Sequence, residues 1–291
     1  MKKNDHLHIR AVCALTTAHN PKDKTLRSIR DLAREGESCG IDLTIVVVDD
    51  GSTDGTAAAI AEDFPAVVVV PGNGGLYWAG GMRLGWHKVV RKRRYDALLV
   101  FNDDIGLLPG ALRCLLDTSG ELAAAGISNH AVVGALSSKL SGEPTYGGWR
   151  SRSKLNPLRL SLVCPNGRPQ QVDTLNMNFA LLRREAVDAV SLFPPHFSHC
   201  AADFDFGFQL NKAGGSVWLV GQSLGTCERN SYEGTHLDRT LSPLSRLMYS
   251  LGPKGEPPWQ RLRYVYDHGG VLWPLTFFSP YVTALFGRKI L

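Results

Sequence analysis

The sequence predicts an α/β fold: a mixed, mostly parallel sheet flanked by helices, followed by a C-terminal helical tail. Three observations carry this. The apolar runs at 45–48, 67–70 and 98–101 are continuous rather than alternating, as in strands buried on both faces. Helix-like segments separate them, as parallel crossovers require. The runs at 45–48 and 98–101 lead into acidic turns, and in open α/β sheets ligands bind at the carboxyl ends of strands.

Taken in order, residues 8–16 read as a strand ending in Thr16 and Thr17, and 21–33 as a helix. Strand 45–48 precedes a helix over 53–62 with Asp54 near its start. Strand 67–70 precedes a helix over 79–94, and strand 98–101 precedes one over 109–118. Beyond these, 141–172 is rich in Gly, Pro, Ser and Arg and reads as a hairpin or long loop. From 144 to 172 it carries five basic residues and no acidic one. Segments 179–190 and 204–212 read as helices and 217–220 as a strand. The pattern then thins, dividing the chain into a domain over 1–225 and an extension over 226–291.

The chain has 291 residues, 44% of them hydrophobic, which excludes wholesale disorder and leaves ample length for a core. A net charge of +5 is too small to argue for nucleic acid. Six cysteines without a CxxC pair offer no zinc or disulfide framework and fit a reducing cytoplasm. The polar opening through His6, and an apolar run broken by His8 and Arg10, predict no signal peptide. The apolar stretch 271–286 is interrupted by Pro274 and Pro280 and ends in Gly287-Arg288-Lys289. It is too short to span a bilayer and reads as an interfacial segment, a segment packed on the domain, or a dimer contact. Glycine is abundant, with 30 residues, and gathers beside acidic and aromatic residues, where backbone must come close to something.

Four motifs carry chemistry. Val48-Asp49-Asp50-Gly51-Ser52-Thr53-Asp54-Gly55 ends a buried strand in two carboxylates that can accept from an imide N–H or from ribose hydroxyls. Helix capping alone explains Ser52 or Thr53 but hardly both acids. Gly72-Asn73-Gly74-Gly75 opens a helix and favours anions, although it has no Walker lysine. Asn102-Asp103-Asp104 ends the run at 98–101. Alternation puts Asn102 and Asp104 on one side and Asp103 on the other, and such carboxylates can hold a hard divalent cation beside phosphate oxygens. Ala202-Asp203-Phe204-Asp205-Phe206-Gly207 sets Asp203 among aromatics at a helix start, where desolvation raises a carboxyl toward general-base values. Capping the helix is a compatible role.

In this order, DDGSTDGT, Asn-Gly-Gly, NDD and ADFDFGFQLNKAGG, the chain resembles the inverting family 2 glycosyltransferases of the GT-A fold over residues 8–225, in particular rhamnosyltransferase-like members of bacterial polysaccharide and cell-envelope biosynthesis. The resemblance implies that Asp49 and Asp50 bind the base and ribose of a nucleotide sugar, with Asn73, Gly74, Gly75, Asn102 and Asp103 around the donor. It implies Mn²⁺ or Mg²⁺ on Asp104, with His236 as a further ligand, and Asp203 as catalytic base. Three positions depart from the family pattern: Asn102 replaces the first acid of the DxD motif, Ala202 replaces the Glu before the base, and Gln209 stands where the family has Arg. The segment 176–184 resembles the acceptor side, giving Asn178 as an acceptor contact together with Trp149 and Asp205.

The activity implied is transfer of a sugar from a UDP- or dTDP-sugar to a hydroxyl of a glycan or lipid-linked acceptor. It would take place in the cytoplasm or peripherally on the cytoplasmic face of the inner membrane, with homodimerisation open. The alternatives are a nucleotidyltransferase of the same fold, disfavoured because Thr16-Thr17-Ala18-His19-Asn20 lacks a Gly-rich basic signature, and a decayed nucleotide-sugar-binding module.

Overall fold

The computed structural model describes residues 9–20 and 22–287. The polar start at 1–8, Pro21 at the head of the first expected helix, and Arg288-Lys289 lie outside the described residues. The chain opens with β1 (Ala11–Ala18), α1 (Lys22–Cys39), β2 (Asp42–Asp49), α2 (Thr56–Asp63), β3 (Val68–Pro71), α3 (Tyr77–Lys88) and β4 (Ala97–Phe101). β1 pairs in parallel with β2 and β4, and β2 with β3. These pairings build the parallel block that the continuous apolar runs require.

After β5 (Gly106–Leu107) and α4 (Ala111–Ala124) comes β6 (His130–Ser137), a strand that no apolar run in the sequence reading marked. The segment 141–172 contains β7 (Pro144–Tyr146), β8 (Gly148–Ser151), β9 (Leu160–Leu162) and β10 (Gln170–Val172), with β11 (Thr174–Leu175) directly after it. β11, β8 and β9 form a small antiparallel sheet, so the hairpin expectation holds better than the loop.

The expected helix at 179–190 is instead β12 (Phe179–Arg183) followed by the short α5 (Arg184–Ala189). β12 lies antiparallel between β4 and β6. Ala180 and Leu182 pack into the core on one face of the sheet, Phe179 and Leu181 into the core on the other. Every residue of β12 is buried, which the period-two alternation of a strand allows and the single buried stripe of a surface helix does not. α6 (Ala202–Lys212) and β13 (Ser216–Thr226) complete the sheet, with β13 parallel to β6. The main order is β10-β13-β6-β12-β4-β1-β2-β3.

The extension folds as α7 (Pro243–Leu251), α8 (Pro258–His268) and α9 (Trp273–Phe286). Tyr264 and Val265 of α8 join Ala79, Phe197, Ala202 and Phe208 in a third core, so the extension packs on α3 and α6.

α3 is shorter than expected, and its glycines lie against the sheet. A Cβ on Gly85 would come within 2.6 Å of Leu15 Cδ1 and 2.8 Å of Val48 Cγ2. Helix propensity favours alanine over glycine by about 1 kcal/mol, but overpacking a close-packed core costs about 1–3 kcal/mol. Gly85→Ala is therefore expected to destabilise the protein in urea unfolding by about 1–2 kcal/mol. A stabilised variant would show that α3 does not bear on the sheet in this way.

Candidate active site

The parallel strands β1, β2, β3, β4, β6 and β13 deliver their carboxyl ends to one edge. β12 runs the other way, so its amino end arrives there too and carries residues 176–178 with it. Asp49-Asp50, Gly72–Gly75, Asn102–Asp104, Asn176–Asn178 and Cys227 thus share one rim, the placement the topology of such sheets favours for a ligand.

Asp49 and Asp50 are both buried but do different things. One oxygen of Asp49 accepts from Ser52 N at 3.1 Å, closing the turn after β2. Asp50 accepts from three backbone N–H groups: Gly74 at 2.8 Å on Oδ1, and Leu76 at 2.8 Å and Tyr77 at 3.0 Å on Oδ2. Its carbonyl accepts from His19 Nδ1 at 2.7 Å. Asp50 therefore holds the glycine turn and the first residue of α3 against β2, with three of its four acceptor positions given to backbone. Gly51, at φ +72°, permits the contact: a Cβ there would lie 2.9 Å from Gly74 Cα. Asn73, Gly74 and Gly75 remain exposed, with Asn73 Oδ1 accepting from Gly75 N at 3.0 Å.

β4 ends at Phe101, and Asp103 and Asp104 lie in the turn beyond it, where strand alternation does not apply. The two acids take different partners. Asp103 accepts from Thr25 Oγ1 of α1 at 3.1 Å, and burial, with Asp104 adding to it, pushes its carboxyl up to about 7. Asp103 is thereby anchored to α1 instead of sharing a side with Asp104. Asp104 accepts from the Cys227 thiol at 3.5 Å, and burial first and Asp104 second push that thiol up, which keeps its proton on sulfur. Asn178 donates to the same sulfur at 3.8 Å, while its carbonyl accepts from Asn102 N at 2.9 Å.

Asp203 stands in the first turn of α6. It accepts from Phe204 N at 2.9 Å and from Asn176 Nδ2 at 3.3 Å. Burial raises its carboxyl to about 6 against those hydrogen bonds. Trp149 Nε1 donates to Asn176 Oδ1 at 2.6 Å, and its ring lies 5.7 Å from that of Phe204. An indole N–H can only donate, so it fixes the Asn176 amide with its NH₂ toward Asp203. Asn176 and Cys227 are site residues that sequence reasoning did not single out; Asn176 opens the 176–184 segment and carries no signal of its own.

Two expected site residues lie elsewhere. Asp205 is buried and bonded to His268 Nε2 of α8 at 2.7 Å and to Gln209 Nε2 at 3.1 Å, so it joins the extension to α6 instead of meeting an acceptor. The same bond occupies Gln209. His236 lines a cavity of about 610 Å³ with Tyr232, Asp238, Arg239 and Arg246. Among the described residues no three His, Cys, Asp or Glu side chains gather as a metal cluster, so His236 forms no such group with Asp104.

The model of the family described as Glycosyl transferase family 2 matches residues 13–190. No curated protein matches the chain. Among solved structures, a mannosyltransferase from Pyrobaculum calidifontis in complex with GDP-Man and Mn²⁺ is similar at TM-score 0.58 and 15% identity, over 95% of this chain and 73% of that one. GalNAc-T7 with UDP, GalNAc and Mn²⁺ is similar at TM-score 0.57 and 12% identity, over 96% of this chain and 56% of that one, little more than half its length. At these identities the likeness shows the fold, a GT-A arrangement.

Two outcomes test this geometry. Asp50→Ala strands three backbone donors and is expected to lower stability by about 3 kcal/mol in chemical denaturation, with exchange of the Gly74, Leu76 and Tyr77 amides accelerated. Unchanged protection at those amides would show that Asp50 does not hold the turn. Asn176→Ala removes a hydrogen bond that favours the ionised Asp203, so the Asp203 titration, followed by carboxyl NMR, is expected to move above about 6. A downward move would contradict the assigned contact.

Proposed function

Because the chain belongs to glycosyl transferase family 2, we propose that this glycosyltransferase moves a sugar from a UDP- or dTDP-sugar to a hydroxyl of a glycan or lipid-linked acceptor, with inversion and with Asp203 as base. One observation carries the reading. The tripeptide Asn176-Met177-Asn178 bonds the raised carboxyl of Asp203 at one end and lies against the Asn102–Asp104 turn at the other. The neighbourhood of Asp203 and the acidic turn after β4 on one rim supports reading the first as a base and the second as the donor side.

In this reading the donor's base and ribose meet Asp49, whose second oxygen supplements the one given to Ser52. The exposed turn over Asn73, Gly74 and Gly75, held in shape by Asp50, offers backbone to the donor, and Asn102 and Asp103 approach it from the end of β4. Hard divalent ions are held by one or two carboxylates plus substrate phosphates rather than by a preformed cage. Asp104, in the turn after β4 with Oδ1 accepting from the Cys227 thiol, fits Mn²⁺ or Mg²⁺ of that kind. Such an ion, when bound, neutralises charge on the leaving diphosphate.

The acceptor hydroxyl is deprotonated by Asp203 as its oxygen bonds the anomeric carbon. The bond from that carbon to the diphosphate oxygen breaks, and its electron pair leaves with the nucleotide diphosphate. Trp149 and Asn176 keep the carboxylate oriented, and the Trp149 ring beside Phe204 offers an apolar wall to a sugar face.

A base must be ionised, so the acid limb of kcat is expected to rise through about 6. The same shift has the opposite sign for stability. A carboxyl raised above its ordinary value stabilises the fold fully only below that ordinary value, and the contribution is lost as pH rises through about 6. Asp203→Asn is expected to lower transfer by about 10²–10⁴-fold while donor binding, read by thermal shift with Mn²⁺, stays intact. Full transfer by Asp203→Asn would sink the base assignment.

A further inference from the structure

α9 is built inside out. Its sequence positions 275, 278, 282 and 285 repeat at helical spacing and form an apolar stripe, with Leu275 61% and Phe278 58% exposed. Thr276 and Ala284 are the buried positions of the same helix, and Phe277 packs toward Tyr264 and Val265. The strip from Gly269 to Gly287 holds no charged residue. α7, which packs along α9, repeats the pattern with Leu244, Met248 and Leu251 exposed. α8 adds Trp259 and Tyr266. Three adjoining helices thus turn leucine and aromatic side chains to the outside, well beyond the scattered apolar exposure of an ordinary surface.

α9 is about 21 Å long at 1.5 Å per residue, against a hydrocarbon core of about 30 Å. Among the described residues no helix is long and apolar enough to cross a membrane. The charges decide between the remaining occupants. Across 243–287 the exposed charged side chains are Lys254 and Arg263, both cations. Glu256 and Asp267 are half-buried, in ion pairs with Arg261 at 3.4 Å and Arg263 at 2.8 Å. Over 243–287 the cations Arg246, Lys254, Arg261 and Arg263 outnumber Glu256 and Asp267, and both carboxylates are already engaged by Arg261 and Arg263. A second copy related by a two-fold axis would therefore bring one net positive face against another. An anionic bilayer surface answers both features: its headgroups pair with the cations, and the apolar stripe enters the headgroup–acyl boundary.

We propose that the outer face of α7, α8 and α9 docks in the plane of an anionic lipid surface, with Leu275 and Phe278 inserted and Lys254 and Arg263 on headgroups. The proposal rests on the glycosyltransferase reading only in that docking would bring the sheet edge to a lipid-linked acceptor. The bond between His268 of α8 and Asp205 of α6, two residues from Asp203, ties the docked helices to the catalytic helix.

The test is co-sedimentation of the full chain with vesicles of phosphatidylcholine alone and of phosphatidylcholine mixed with phosphatidylglycerol. The wild type is expected to partition onto the mixed vesicles, more weakly onto the neutral ones, and less at high salt. Leu275→Ser/Phe278→Ser is expected to bind the mixed vesicles about tenfold more weakly or worse with an unchanged melting temperature, and Lys254→Glu/Arg263→Glu to lose the preference for anionic lipid. Absence of wild-type binding, or equal binding by both double variants, would overturn the proposal. A solution dimer that the serine variant turns into a monomer would overturn it in favour of a second copy. Hydrolysis of a nucleotide sugar with Mn²⁺ and no acceptor is measured in parallel. If it is absent while vesicle binding persists, the glycosyltransferase reading fails and the docking stands.

Discussion

The antiparallel entry of β12 between two strands that run the other way governs the rest of the structure. Fully buried on both faces, Phe179–Arg183 separates β4 from β6 and anchors the two cores to each other. Its direction also sends its amino end to the rim where the parallel strands finish. Had the segment been the helix that its apolar run suggests, Asn176 and Asn178 would have no reason to lie beside the turn after β4. The carbonyl of Asn178 accepting from Asn102 N continues the β12–β4 ladder by one step past the last paired residues. The site is in that sense an extension of sheet hydrogen bonding.

On that rim the carboxylates have separate tasks. Asp50 is held by three backbone donors and shapes the turn that precedes α3. Asp103 is bonded to α1, and Asp205 to α8. Buried carboxylates are costly unless they are bonded, and each of these three has found its bond inside the protein. Among the described residues Asp104 accepts from the weak thiol of Cys227 alone. Asp203, like Asp103, is raised by burial despite its hydrogen bonds, but Asp203 stands at a helix start beside the rim and Asp103 is bonded to α1. Perturbed or underused acids of this kind mark chemistry more reliably than acids as such. The family membership of the chain and the GT-A fold fit this division of labour.

Much of the fold was legible because the parallel strands are buried on both faces and read as short continuous apolar runs bounded by turn residues. The same property misled at 179–190, where a buried strand leading straight into a short helix reads as one helix. β6 escaped notice because its run begins at a histidine and includes a glycine, although His130 is buried and bonded to Ser119 and the Ile127 carbonyl. The glycine clusters signalled close approach of backbone without saying to what, and Gly85 lets a helix lie against β1 and β2. Periodicity sees which residues are apolar but not what they press upon.

The sequence by itself determined the order of the motifs, the acidic residues that follow β2 and β4, and an aspartate at a helix start among aromatics. All of these follow from local pattern, the apolar run of a buried strand and the cap of a helix. Only the tertiary structure decided which acids are engaged by neighbours remote in sequence. Asp50 and Asp205 look like Asp49 and Asp203 on the page, yet each is occupied by groups 24 to 63 residues away. The same holds for Asn176, whose orientation comes from an indole 27 residues earlier and whose effect falls on a carboxylate 27 residues later. A side chain's chemistry is set by the partners that the fold brings to it, and those contacts have no period to read.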